Sequence, residues 1–191
     1  MRLRKEIIFI TTNAHKVEEI MDLAYAEAED ITIEQLEYDY PERQLDAIEE
    51  VARASANYIM ENMEIKKPFF IEDSGMFIPV LNGFPGPFSA FVFKTIGNEG
   101  LLKLMGGKRG DARRATFKTV VALCETSEKE PILFVGTVEG KIANAMRGEG
   151  GFGFDPIFEY KGATFAEMST EAKNKVSHRG KAFRKLLNYI A

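Results

Sequence analysis

The sequence predicts a single α/β domain over residues 1–191, with a mixed β-sheet flanked by helices and a cleft between two lobes. Three observations lead there. Nearly unbroken apolar runs at residues 6–11 and 69–71 read as central strands covered on both faces. The first passes straight into a segment of helical periodicity, which makes a strand, loop, helix unit. Long runs rich in β-branched residues at 116–123 and 132–142 then read as a paired ribbon, and no repeat, linker or low-complexity tract divides the chain.

In chain order, the strand at 6–11 should be buried. Val17, Ile20, Met21 and Ala24 recur at helical spacing, so residues 14–27 form an amphipathic helix entered through Thr11-Thr-Asn13. Residues 31–38 alternate as a second strand, and Ile48, Val51, Ala52, Ser55 and Ile59 mark a second helix. Pro41 and Glu42 fall in the loop between them. The strand at 69–71 should stop at Glu72-Asp-Ser-Gly75, where glycine interrupts the regular backbone. Gly83-Phe-Pro-Gly-Pro87 reads as a rigid loop, and residues 98–106 as a short helix ended by Gly106-Gly107. Residues 155–160 read as turn and strand. A final helix carries Ala182, Phe183, Leu186, Leu187 and Ile190 on one face.

A chain with 45% hydrophobic and 28% charged residues buries a sizeable core and does not stay disordered. Its net charge of -4 advertises no basic surface for long nucleic acid or anionic membrane, so the expected partner is a small molecule. The sole cysteine, Cys124, lies in an apolar run and reads as a buried, inert thiol of a reducing compartment. The basic and then apolar N-terminus resembles the start of a secretory signal, but its apolar run is too short and no cleavage pattern follows. With no stretch of membrane-spanning length, the expectation is a cytoplasmic protein.

The densest chemistry lies in Gly148-Glu-Gly-Gly-Phe152-Gly-Phe154-Asp155 and, further on, Lys173-Asn-Lys-Val-Ser-His178-Arg179. Aromatics framed by glycines and followed by donors suit a planar ligand with oxygen acceptors, such as a hypoxanthine or xanthine ring stacked on Phe152 or Phe154. Those phenylalanines are equally consistent with core. The glycines match a dinucleotide fingerprint in form only, because no helix follows them. Thr11-Thr12-Asn13-Ala14-His15-Lys16 lies where a strand gives way to a helix, a place that favours an anion, with Lys16 adding a full charge. An ordinary N-cap with a solvated lysine is the commoner outcome of such a turn, and His15 alone reads as a solvated residue. Glu42, Glu72 and Asp73 could hold Mg²⁺ against a phosphate, although acidic residues at strand ends are also routine. Arg109-Gly-Asp111 with Arg113-Arg114 reads as a solvated loop.

Six short pieces in this order resemble the inosine/xanthosine triphosphate pyrophosphatase family. They are Thr-Thr-Asn-Ala-His-Lys at 11–16, Pro-Glu at 41–42, Glu-Asp-Ser-Gly at 72–75, Gly-Phe-Pro-Gly-Pro at 83–87, Phe-Gly-Phe-Asp at 152–155 and Lys-Asn-Lys-Val-Ser-His-Arg at 173–179. The chain departs from its relatives at Thr12, often glycine, and at Ala90 and Phe91, where a basic residue is common. The resemblance implies an elongated, twisted mixed sheet, a homodimer, a Mg²⁺ cofactor, and hydrolysis of ITP, dITP or XTP to the monophosphate and pyrophosphate. It implies that Thr11, Thr12, Asn13, Ala14, His15, Lys16 and Ser74 hold the triphosphate. Glu42 and Asp73 would hold the metal, with Asp73 also the base for water. Phe152, Gly153, Phe154, Asp155, Lys173, His178 and Arg179 would form the base pocket. A broader, Maf-type pyrophosphatase and a nucleotide-binding module without turnover remain as alternatives, and the paired carboxylates argue against the second.

Overall fold

The computed structural model describes residues 5–41, 43–126 and 129–191. An eight-stranded sheet forms its centre, in the order β2-β1-β3-β5-β6-β7-β8 with β4 attached to β3. Strands β1 (Lys5–Ile10), β2 (Ile31–Leu36) and β3 (Phe69–Phe77) run parallel to one another. The crossover between β1 and β2 is helix α1 (Ala14–Glu27), and α2 (Ile48–Asn62) links β2 to β3. Parallel neighbours need such long connections, and these supply them.

From β3 onward the sheet turns antiparallel, through the short β4 (Pro85–Gly86) and the long ribbon of β5 (Arg114–Cys124) and β6 (Ile132–Ile142). It ends in β7 (Phe158–Tyr160) and β8 (Ala163–Thr164). The mixed sheet is thus as expected, and Cys124 is buried, its thiol pushed up to about 12 by that burial.

Helices α1 and α6 (His178–Ile190) cover one face over Phe9, Phe70, Val121 and Phe183, while α2 covers the other over Ile71, Val120 and Ala122. A third apolar cluster holds the far end, where α3 (Ser89–Thr95) and α4 (Gly97–Leu104) pack beside β4 and Phe117, Phe158 and Phe165 gather. No described helix is long and apolar enough to cross a membrane.

Two expectations need correction, and two helices are additional. Strand β3 does not stop at Glu72: it runs through Gly75 to Phe77, paired with β5 throughout. Gly75 is not a terminator, because a Cβ there would lie 2.4 Å from the Gly86 carbonyl oxygen, so glycine is what lets β4 dock. The expected helix at 98–106 is α4, whereas α3 before it and a further helix, α5 (Thr170–Val176), before the last one have no counterpart in the sequence reading. Finally, Arg113 is not a solvated loop residue. It is buried and donates to the carbonyls of Met105, Lys108, Ile142 and Ala143.

Candidate active site

A cleft of about 620 Å³ opens at the sheet, and it collects residues from five of the six motif segments. Thr11, Thr12, Asn13, His15, Lys16, Asp73, Ser74, Phe152, Gly153, Phe154, Asp155, Lys173, His178 and Arg179 all line it. Ala14 is the first residue of α1 beside them. Glu42 lies outside the described residues, so its placement as a metal ligand has no structural counterpart here.

The strand-to-helix turn is an ordinary cap in one respect. Asn13 Oδ1 accepts from Lys16 N at 3.2 Å, and Thr11 Oγ1 accepts from Asn13 N. The remaining first-turn amides of α1 have no acceptor within the helix. Lys16 is not simply free for phosphate. Its Nζ donates to the Glu72 carbonyl at 2.7 Å and lies 2.9 Å from Glu72 Oε2, an ion pair rather than an aligned hydrogen bond.

Beneath the cleft floor lies a charge network that the motifs only partly reveal. Lys173 Nζ reaches Glu19 Oε1 and Asp155 Oδ2, each at 2.5 Å. Arg179 donates to Glu19 Oε2 at 2.5 Å and to Glu72 Oε1 and Ser74 Oγ, each at 3.3 Å. Three cations, Lys16, Lys173 and Arg179, thus face three carboxylates, Glu19, Glu72 and Asp155. Burial opposes ionisation of Glu72 and Glu19, but Arg179 with Lys16 in one case and with Lys173 in the other holds both below the usual carboxylate range. For Asp155 burial wins over Lys173, and its carboxyl is pushed up. Glu19 carries no motif; the one hint in the sequence is its place a turn after Lys16 on α1.

These pairings change the roles expected of three residues. Asp155 is a strut, since its Oδ2 also accepts from Phe152 N at 2.8 Å, and a Cβ on Gly151 would lie 2.1 Å from that same oxygen. Gly151 therefore makes room for a protein carboxylate. Arg179 is 2% exposed, which rules out the surface role usual for a first-turn arginine. Lys173, 3% exposed, is likewise committed to its two carboxylates.

The two phenylalanines part company as well. Phe154 is buried, with Phe93 against it edge-on at 5.5 Å between centroids, and forms wall. Phe152 is half-buried, with Lys173 Nζ 5.1 Å and Arg179 Cζ 5.2 Å from its ring centroid. His15 stacks on that ring at 5.1 Å with 13° between planes, so the imidazole has a contact that a solvated residue would lack.

His178 is buried and stacks on Phe117 at 4.5 Å and 7°. Burial, and then Arg179 and Lys173, keep it neutral by holding it well below the ordinary histidine value. Its Nδ1 and the Nε of Arg179 are buried and have no hydrogen-bond partner among the described residues. On β3, alternation sends Glu72 and Ser74 to the network and Asp73 to the opposite face, half-buried at the cleft rim. Ser74 Oγ contacts Glu72 Oε1 and lies 2.6 Å from Thr119 Oγ1.

Against known proteins, the model of the Ham1 family matches residues 7–189. The chain belongs to the Ham1 family. A dITP/XTP pyrophosphatase of Thermococcus kodakarensis is 47% identical to this Ham1 chain, with 96% of each chain covered. One of Methanosarcina mazei is 46% identical over 97% of each. Among solved structures, a HAM1 protein from Coxiella burnetii superposes with a TM-score of 0.82 at 30% identity, covering 97% of this chain and 98% of its own.

Proposed function

We propose that this Ham1 protein hydrolyses deaminated purine nucleoside triphosphates, ITP, dITP and XTP, to the monophosphate and pyrophosphate. The observation that carries the reading is one cleft that joins an anion-binding helix start, a carboxylate at the rim and an aromatic platform backed by buried donors. It stands in a chain nearly half identical, end to end, to enzymes named dITP/XTP pyrophosphatases.

The triphosphate lies along the start of α1, where the backbone amides and Lys16 receive its oxygens. Because Glu72 shares Lys16, the phosphates compete for a cation that is already neutralised, and gain most where negative charge grows on the departing pyrophosphate. Asp73 is the base that takes a proton from the water attacking the α-phosphorus. The purine ring stacks on Phe152, and its polar edge meets the unclaimed nitrogens of His178 and Arg179. A 6-keto oxygen accepts from such donors, whereas the 6-amino group of adenine does not.

Mg²⁺ is part of this reading. The described residues contain no group of three His, Cys, Asp or Glu able to hold a metal. Mg²⁺ needs fewer, since it takes one or two carboxylates together with substrate phosphates. Asp73, which lines the cleft, fits that demand by its hard oxygen chemistry, and Glu42 is the proposed second carboxylate. The ion would neutralise charge on the phosphates.

The exposed side chains of Phe84, Phe88, Phe91, Phe93 and Ile96 crowd into and around α3. Such apolar exposure in one place marks an association surface, and a second copy of the chain is its proposed occupant, in the cytoplasm. Sedimentation at micromolar concentration should give twice the chain mass, and a monomer would remove the dimer. For the activity, pyrophosphate and orthophosphate are measured from ITP, dITP, XTP, GTP and ATP with and without Mg²⁺. Pyrophosphate from the first three is expected; orthophosphate with IDP from ITP would sink the reading.

A further inference from the structure

His15 stands in the first turn of α1, exposed to the cleft, and its imidazole lies flat against Phe152. Nothing in the nucleotide reading uses that contact. The Phe152 ring is the surface on which the nucleotide reading places the purine, and it already has neighbours. Lys173 and Arg179 approach it from the interior, where they are 3% and 2% exposed. His15 approaches from the solvent side. The ring cannot easily retreat, because its own backbone amide is tied to Asp155 Oδ2 and that carboxylate to Lys173. Of the partners, only His15 is free to swing away through its rotamers into open cleft.

We propose that His15 is a placeholder: its imidazole occupies the face of Phe152 on which the base stacks, and a nucleotide binds by displacing it. The inference rests on the nucleotide reading and assigns His15 a positioning role, exerted through Phe152 and not through contact with substrate. It follows that the empty site is a competitor for its own ligand. The stack keeps the platform ordered and covered, and every incoming base meets the same opposing contact. Since the opposition does not depend on which base arrives, it lowers affinity without altering selectivity.

The chain has no tryptophan, so Phe152→Trp places a single reporter in the platform. In that background, adding His15→Ala should make the indole more accessible to acrylamide and red-shift its emission in the absence of any nucleotide. Equal quenching with and without His15 would show that the stack does not exist in solution and overturn the proposal. In the otherwise native chain, His15→Ala should lower KM for ITP by about 2- to 12-fold, the range that aromatic pairs contribute, with kcat moving less. The ratio of kcat/KM for ITP and ATP should stay constant, and His15→Phe, which restores a ring without imidazole chemistry, should return KM toward the native value. A KM that rises, or does not move, overturns the placeholder role, as does a changed ITP to ATP ratio. If the native chain releases no pyrophosphate from ITP, the nucleotide reading itself fails; the tryptophan pair still decides whether His15 covers Phe152.

Discussion

Glu19 accepts from both Lys173 and Arg179, so its removal would leave two buried cations sharing what remains of Asp155 and Glu72. Breaking a buried pair by deleting one partner costs about 3–5 kcal/mol, because the other charge stays buried without compensation. Glu19→Ala should lose that much in denaturant unfolding, and a loss below about 1 kcal/mol would show that the network adjusts or admits water. Asp73→Asn is the opposite kind of change. It keeps shape while removing basicity, and should reduce pyrophosphate release by about 10²- to 10⁴-fold in a chain that still folds. Near-native turnover would take Asp73 out of the chemistry. The difference between these two residues is also a difference in legibility. Asp73 stands in a short motif, and so do Lys16, Lys173 and Arg179. Glu19 reads as one more helix carboxylate, since its burial is decided by α5 and α6, which arrive from the far end of the chain. Likewise the sequence offers Phe152 and Phe154 as equals, and only the packing of Phe93 against one and two cations against the other separates them.

Among the elements, α6 lies directly against β6 at Gly136. A Cβ on Gly136 of β6 would lie 2.1 Å from the His178 carbonyl oxygen and 2.5 Å from Ala182 N. Gly136→Ala should therefore push α6 outward at its first turn, costing about 1–3 kcal/mol as overpacking does. Because that turn carries His178 and Arg179, KM for ITP should rise with it; lost stability without a change in KM would mean that the helix yields elsewhere. The periodic patterns located α1, α2, α6 and the β5–β6 ribbon well, since each buries a regular stripe or face against the sheet. They failed at β3, where Glu72, Asp73 and Ser74 look like a polar strand end. These residues continue the strand because β5 pairs with them on one side and the site needs their alternation: two into the network, one to the rim.

For the molecule as a whole, the buried titrating groups set a pH window. His178 stays neutral in the native state well below its ordinary value of 6.5, so on acidification the unfolded chain takes up a proton that the native chain refuses. Stability contributed this way is complete above pH 6.5 and is lost as pH falls below it, by up to about 1.4 kcal/mol per unit for one proton. Glu19 and Glu72, held below their ordinary 4.5, extend the loss under that pH, while the raised Asp155 opposes it. Urea unfolding at pH 7.5 and 5.5 should show the drop, and His178→Phe, which keeps a ring against Phe117, should remove most of it. An equal drop in that variant would assign the effect to other groups. One joint remains, at Ser177, which closes α5 and caps α6 with its side chain on Gly180 N at 3.1 Å. No spare residue separates the two helices, and each added residue would turn one of them by about 100° relative to the other. A single insertion there would carry Lys173 and Arg179 away from their common acceptor, Glu19. The length of the stretch from 173 to 179 should therefore be invariant wherever the network survives.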